Sequence, residues 1–492
     1  LPFSDLHLHF FGSARAPLST PPLCGTYTTQ ASIEPSSGNA PATPTSSFEI
    51  TSGPNGAPCS SPRPFAPQFN AGSTNIQAGE FTPFQMTMTR PDADQTLSGI
   101  TLHMPEGLSG SLSKLELCPE PQASEGTCGP GSLIGETIVS AGLGGAPFTV
   151  QGGKVFITGP YKGAPFGLSI LNPAKAGPFD LGYVVVRAKV EVDPTTAALT
   201  IVSDPLPTII QGIPLQLQHV QVNVNRPQFT FNPTDCNPMG ISATLTSTEG
   251  ASATGSSSFQ VTNCADLGFT PKFAVSTSGK TSRATGAGLD VKLSYPLGPK
   301  LANIAKVKVE LPKQLPSRLT TLQQACPEDT FAANPVSCPA ASRVGEAVAT
   351  TPVLSGPLTG PAYFVSHGGA KFPELIVVLT GEDGVTVDLH GETFISKQGI
   401  TSSTFATVPD VPVGSFELKL PQGRYSALAA NGDLCKSKLV MPTEFVAQNG
   451  AKLEQSTKIT ATGCPKGKKA KARHKPSKRQ RHAHKQSKQR RG

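Results

Sequence analysis

At 492 residues the chain is long enough for several ordinary domains. Its 49 Gly and 48 Pro, 15% charged residues and absence of Trp exclude coiled-coil and mainly helical classes and point to turn-rich β structure. The formal charge of +8 divides unevenly: residues 465–492 hold 13 of the 41 basic and none of the 33 acidic residues, so the body, with 28 against 33, is net −5. No stretch approaches the ~18 consecutive apolar residues of a membrane-spanning helix, so no transmembrane segment is expected. No basic segment followed by an apolar core marks a secretory signal at Leu1.

In chain order, residues 1–59 read as the C-terminal part of a truncated repeat unit, because LPFSDLHLHF lines up with VPVGSFELKL at 411–420 and Cys24 and Cys59 precede Cys236 and Cys264 by about 200 residues. Residues 60–203 form the larger β-sandwich of a first unit. Phe84, Met86 and Met88 alternate there with Gln85, Thr87 and Thr89, and Val186, Ala188, Val190 and Val192 with Arg187, Lys189, Glu191 and Asp193, giving strands with one apolar face. A Pro-rich break at 204–214 opens a smaller disulfide-closed β module, 204–264, in which the apolar phase slips between Leu217 and Val220 and predicts a β-bulge near His219. The same order returns in a second unit: a larger sandwich at 265–408, where Val307, Val309 and Leu311 alternate with Lys308 and Glu310, and a smaller module at 409–464, where Phe416, Leu418 and Leu420 alternate with Glu417 and Lys419. Helix is expected only in short pieces, such as 318–325. Residues 465–492 form a basic tail without apolar partners, expected to be disordered. The fold class is therefore all-β, with tandem antiparallel, immunoglobulin-like β-sandwich repeats of about 200 residues.

Cysteine register supports the repeat. Cys118 and Cys128 recur as Cys326 and Cys338, Cys236 and Cys264 as Cys435 and Cys464, and SLIGE around Gly135 answers SRVGE around Gly345. An even count in register, with no C-x-x-C spacing, describes a disulfide framework rather than a zinc or redox site. The expected bridges join Cys24 to Cys59, Cys118 to Cys128, Cys236 to Cys264, Cys326 to Cys338 and Cys435 to Cys464. Such local bridges persist in an oxidising compartment, so an extracellular or cell-surface location is expected.

The segments TGPYKGAPFGLSI, SDPLPTIIQGIPLQL, FNPTDCNP and LPSRLTTLQQAC resemble a group of long extracellular bacterial repeat proteins, and the likeness covers nearly all the chain before the tail. No activity is attached to that group. The resemblance implies compartment and architecture, and carries over no functional residue.

Catalytic signatures are thin. No G-x-S-x-G elbow occurs, and His367, Gly368 and Gly369, which resemble part of an oxyanion loop, read better as a turn. Gly279, Lys280 and Thr281 resemble the end of a phosphate loop, but Ala274 stands where its first glycine is needed. No histidine recurs between units, and no H-E-x-x-H or calcium-loop pattern appears, so neither a metal nor a cofactor is expected. Glu136 with Glu346, and Asp204 with Asp410, are recurring acids that would do acid–base work only if they converged; solvent-facing and turn-orienting roles are favoured. The chain is read as a non-enzyme.

The leading functional expectation is a secreted or cell-surface structural or adhesive repeat protein, the alternative a carbohydrate- or polymer-binding accessory module. The alternative is weakened by the missing Trp and only six Tyr. The tail residues Lys466, Lys468, Lys469, Lys471, Arg473, Lys475, Lys478, Arg479, Arg481, Lys485, Lys488, Arg490 and Arg491 are expected to contact an anionic surface polymer or lipid headgroups. With no aromatic residue among them to stack on bases, sequence-specific nucleic-acid recognition is not expected.

Overall fold

The computed structural model describes residues 4–465 apart from 14–15, 22, 54–55, 297, 299 and 370; the thirteen basic residues between Lys466 and Arg491 lie outside the described residues. Near the N-terminus, β1 (Gly25–Gln30) and β2 (Thr45–Ile50) pair as an antiparallel hairpin. The first unit then contains β3 (Gln68–Ser73), β4 (Phe84–Thr89), β5 (Leu97–His103), β6 (Ser109–Gly110), β7 (Leu133–Ala141), β8 (Phe148–Thr158), β9 (Phe166–Ala176), β10 (Phe179–Val192), β11 (Leu199–Ser203), β12 (Ile209–Ile210), β13 (Ile213–Pro214), β14 (Leu217–Val224), β15 (Thr230–Phe231), β16 (Met239–Ser247) and β17 (Ser252–Phe259). The second contains β18 (Lys272–Ser278), β19 (Leu289–Ser294), β20 (Ile304–Glu310), β21 (Cys326–Pro327), β22 (Arg343–Thr350), β23 (Leu358–Ser366), β24 (Glu374–Thr380), β25 (Thr386–Ile395), β26 (Thr401–Phe405), β27 (Ser415–Leu420), β28 (Val440–Ala447) and β29 (Lys452–Thr462). Among the described residues α-helix is confined to single turns or little more: α1 (Gln122–Glu125), α2 (Leu319–Leu322) and α3 (Glu328–Ala333).

The repeat seen in the sequence is a repeat of sheet topology. The first sheet runs β17-β16-β5-β11-β10-β9-β8-β7-β14-β4-β3 and the second β29-β28-β20-β26-β25-β24-β23-β22-β27-β19-β18, the same order apart from the short β21 that pairs additionally with β23. Neighbours are antiparallel, but the two ends of each sheet meet in a parallel seam. In the second unit, Val275 to Ser278 on β18 pair with Ile459 to Thr462 on β29. In the first, Gln77 and Thr262 form a parallel bridge beyond β3 and β17, with Ala78 N donating to Thr262 O at 3.0 Å and Ala71 N to Ser257 Oγ at 2.8 Å. Each unit is thus a rolled sheet built on eleven corresponding strands: in the second, β18 and β29 close it into a barrel and the two-residue β21 adds a twelfth strand parallel to β23, while in the first β3 and β17 lie side by side, joined through Ser257 Oγ and the Gln77–Thr262 bridge.

Alternation places the core inside. Val220, Val222 and Val224 of β14 stand opposite Met88, Met86 and Phe84 of β4, so the apolar faces coincide across the ladder. The bulge expected near His219 appears as a register shift between Leu217 and His219, and the intervening Gln218 donates to Gly142 O at 2.9 Å and Gly144 O at 2.8 Å. Strands from both sides of residue 204 share one sheet: β14 pairs with β4 and β7, and β16 with β5. The 408/409 boundary is bridged likewise by β27 with β19 and β28 with β20.

Candidate functional site

All ten cysteines are paired, as Cys24–Cys59, Cys118–Cys128, Cys236–Cys264, Cys326–Cys338 and Cys435–Cys464, with Cα separations of 5.9, 5.5, 5.9, 5.4 and 5.7 Å. Gly279, the glycine of the supposed phosphate loop, has a packing role: a Cβ there would lie 2.4 Å from Cys435 Sγ and 2.7 Å from Cys464 Sγ, which only a glycine avoids.

The recurring acids occupy unlike sites and do not converge. Glu136 and Glu346 are exposed on β7 and β22. Asp204 accepts from Tyr161 Oη at 2.7 Å and Lys162 Nζ at 2.5 Å; burial pushes its carboxyl up, but these bonds and the charges of Lys162 and Arg187 outweigh burial and hold it below the usual range. Asp410 is only 2% exposed and accepts from Thr234 N at 2.7 Å, Thr234 Oγ1 at 2.6 Å, Asp235 N at 3.2 Å and Asn303 Nδ2 at 2.8 Å. Burial raises its pKa against the pull of those four donors.

Asp410 marks the junction between the barrels. Leu112 N donates to Val353 O at 2.6 Å and Asp388 N to Pro194 O at 2.8 Å, so turns at one end of the second barrel sit against the opposite end of the first. Gly107, at φ 78°, lies so close that a Cβ would come within 2.6 Å of Pro233 Cβ and 2.7 Å of Asp410 Oδ2. The junction is therefore a packed, hydrogen-bonded contact rather than a free linker. Sequence reasoning singled out Asp410 by its recurrence but had no signal for its partners, which lie 176 and 107 residues away.

His367 follows β23 directly, with Nδ1 3.0 Å from Glu328 Oε2 and Nε2 3.1 Å from Glu374 Oε2, while His390 Nδ1 lies 3.3 Å from the same Glu374 oxygen. Burial alone would lower the pKa of His367; the two carboxylates overcome it and raise it. Among the described residues no group of three or more His, Cys, Asp or Glu is gathered to hold a metal ion.

Both barrels are hollow. A cavity of about 370 Å³ in the first is lined by residues such as Val139, Val150, Ile170, Val184, Val186 and Ile201 and is closed at the junction by residues of the second, Val353, Leu354 and Val385 among them; one of about 200 Å³ lies in the second and shares Leu358 and Val387 with it. At ~24 cal/mol per Å³, leaving the larger one empty would cost roughly 9 kcal/mol, comparable to the entire stability of a typical domain. The lining is almost wholly apolar; Asn172 is an exception, its Oδ1 accepting from Thr137 Oγ1 at 2.6 Å.

The chain matches no protein-family model and no curated protein. Among solved structures, it is similar to the C-terminal domain of the antigen I/II-family protein AspA of Streptococcus pyogenes, with 8% identity over 80% of this chain and 99% of that one and a TM-score of 0.20. It is also similar to the B domain of a biofilm-associated protein, with 9% identity over 80% of this chain and 84% of that one and a TM-score of 0.16.

Proposed function

We propose that this is an extracellular, surface-attached structural or adhesive protein: a rigid pair of disulfide-closed barrels held to an anionic polymer or to lipid headgroups by the basic residues between Lys466 and Arg491. The pairing of all ten cysteines carries the reading, because a local bridge in every half-unit is stable only where thiols are kept oxidised. The packed junction at Asp410 supports it, since a spacer that resists bending holds its outer end away from the surface it is fixed to.

The test compares the intact chain with one ending at Cys464 for retention on wall polymer and on anionic vesicles across a salt series. Retention of the intact chain should weaken steeply with salt through counterion release, and truncation should abolish it. Equal retention of the truncated body, net −5, would place the attachment on the barrels instead.

A further inference from the structure

We propose that the first barrel is a binding site for one long acyl chain, which enters through the end of the barrel that the second does not cover. Three observations meet there. The first is the cavity itself, about 370 Å³ and almost wholly apolar. It reaches from Val184 to Val192 along β10, roughly 25 Å at about 3.3 Å per residue, which is longer than the ~15 Å spanned by one leaflet's chains in a bilayer with a hydrocarbon core of about 30 Å.

The second is that the two barrels differ at their ends. In the second, one end faces the first barrel, and the other is crossed by buried residues of the connecting segments, Leu315, Leu322, Leu428 and Leu434 among them. In the first, the far end is formed by the turns after β7 and β9 and by the segment from β11 to β14. The turns, the adjoining ends of β8 and β10 and the β11–β14 segment carry apolar side chains in solvent there: Leu143 is 39% exposed, Phe148 47%, Phe179 68%, Tyr183 63%, Ile209 63% and Ile213 50%. An apolar rim around the mouth of an apolar cavity is the surface across which a chain passes from a lipid phase without crossing water.

The third is a polar handle. Asn172 lines the cavity, and its Nδ2 donates to no acceptor among the described residues, which leaves its two N–H groups for a carboxyl or ester oxygen. Gly153 makes room for this arrangement, since a Cβ there would lie 1.9 Å from Thr137 Oγ1 and 2.5 Å from Asn172 Oδ1. An occupant with a hydrocarbon body and one small polar group fits both features. A free fatty acid and a membrane phospholipid share that chemistry.

The experiment uses the full chain in about 1 M salt, where a Debye length of ~3 Å suppresses attachment through basic residues and separates this result from that of the tethering reading. Solvent extraction and mass spectrometry of the purified protein come first, then titration of the delipidated chain with palmitic acid and, in a second arm, with phosphatidylglycerol vesicles. One acyl chain per protein should bind and raise the melting temperature, since ligand binding to the folded state alone stabilises it. The arm that saturates identifies the source. Val139→Phe and Ala174→Phe, which fill the first cavity, should each weaken binding at least tenfold without lowering the melting temperature of the free protein, whereas Leu389→Phe in the second cavity should leave affinity unchanged. Asn172→Leu should weaken binding with the fold intact. The proposal is overturned if neither probe binds, if the cavity-filling variants bind as well as the parent, or if the rim is instead buried in a dimer that excludes palmitic acid.

Discussion

Asp410 shows how a residue can be conspicuous in sequence while its work is hidden. Its carboxylate collects four hydrogen bonds, three across the junction from Thr234 and Asp235 and one from Asn303 of its own barrel. Asp410→Ala strands several buried donors and is expected to cost about 3 kcal/mol. Calorimetry should then resolve two melting transitions in place of one, because the barrels lose their shared contact. His367 gives the pH dependence. Its pKa in the folded protein is raised by Glu328 and Glu374 above the unfolded value of about 6.5. The contribution is therefore fully present below that unfolded value and is lost as pH rises through the folded pKa. Hydrogen exchange around β23 and α3 should slow on acidification, and His367→Gln should flatten that response.

At the level of elements, each bridge closes a piece of chain beside a strand end, and the sequence separations of 10, 12, 28, 29 and 35 set their relative worth. In the chain-entropy account the shortest loop contributes about 3 kcal/mol and the loop from Cys435 to Cys464 about 4. Gly279 lies against that last bridge. Gly279→Ala should destabilise the oxidised protein by roughly 1–3 kcal/mol by overpacking, and by much less when Cys435 and Cys464 are both alanine. A double-mutant cycle in urea measures the coupling directly; additivity would show that the sulfurs are not what excludes a side chain at 279. The strands were the most legible elements, because an alternating face such as Phe84, Met86, Met88 announces itself locally. The bulge was legible for the same reason, as a slip of phase between Leu217 and Val220.

For the whole molecule, the sequence by itself determined the all-β class, the repeat of about 200 residues and the cysteine partners, since all three are properties of spacing along the chain. Alternation says which face of a strand is buried but not which strand lies beside it. Hence the rolling of each unit into one sheet, with β16 and β17 returning to meet β5 and β3, was decided only by contacts far apart in the chain, such as Ser98 with Thr246 at a separation of 148 and Ala71 N with Ser257 Oγ at a separation of 186. The same holds for the candidate sites. Thr137 and Asn172 are ordinary strand residues until the sheet curls and turns them inward, and Asp410 becomes buried only when two barrels stack. A cavity has no sequence signature of its own, because it is the space that side chains of normal size leave when eleven strands close around a perimeter too wide for them to fill.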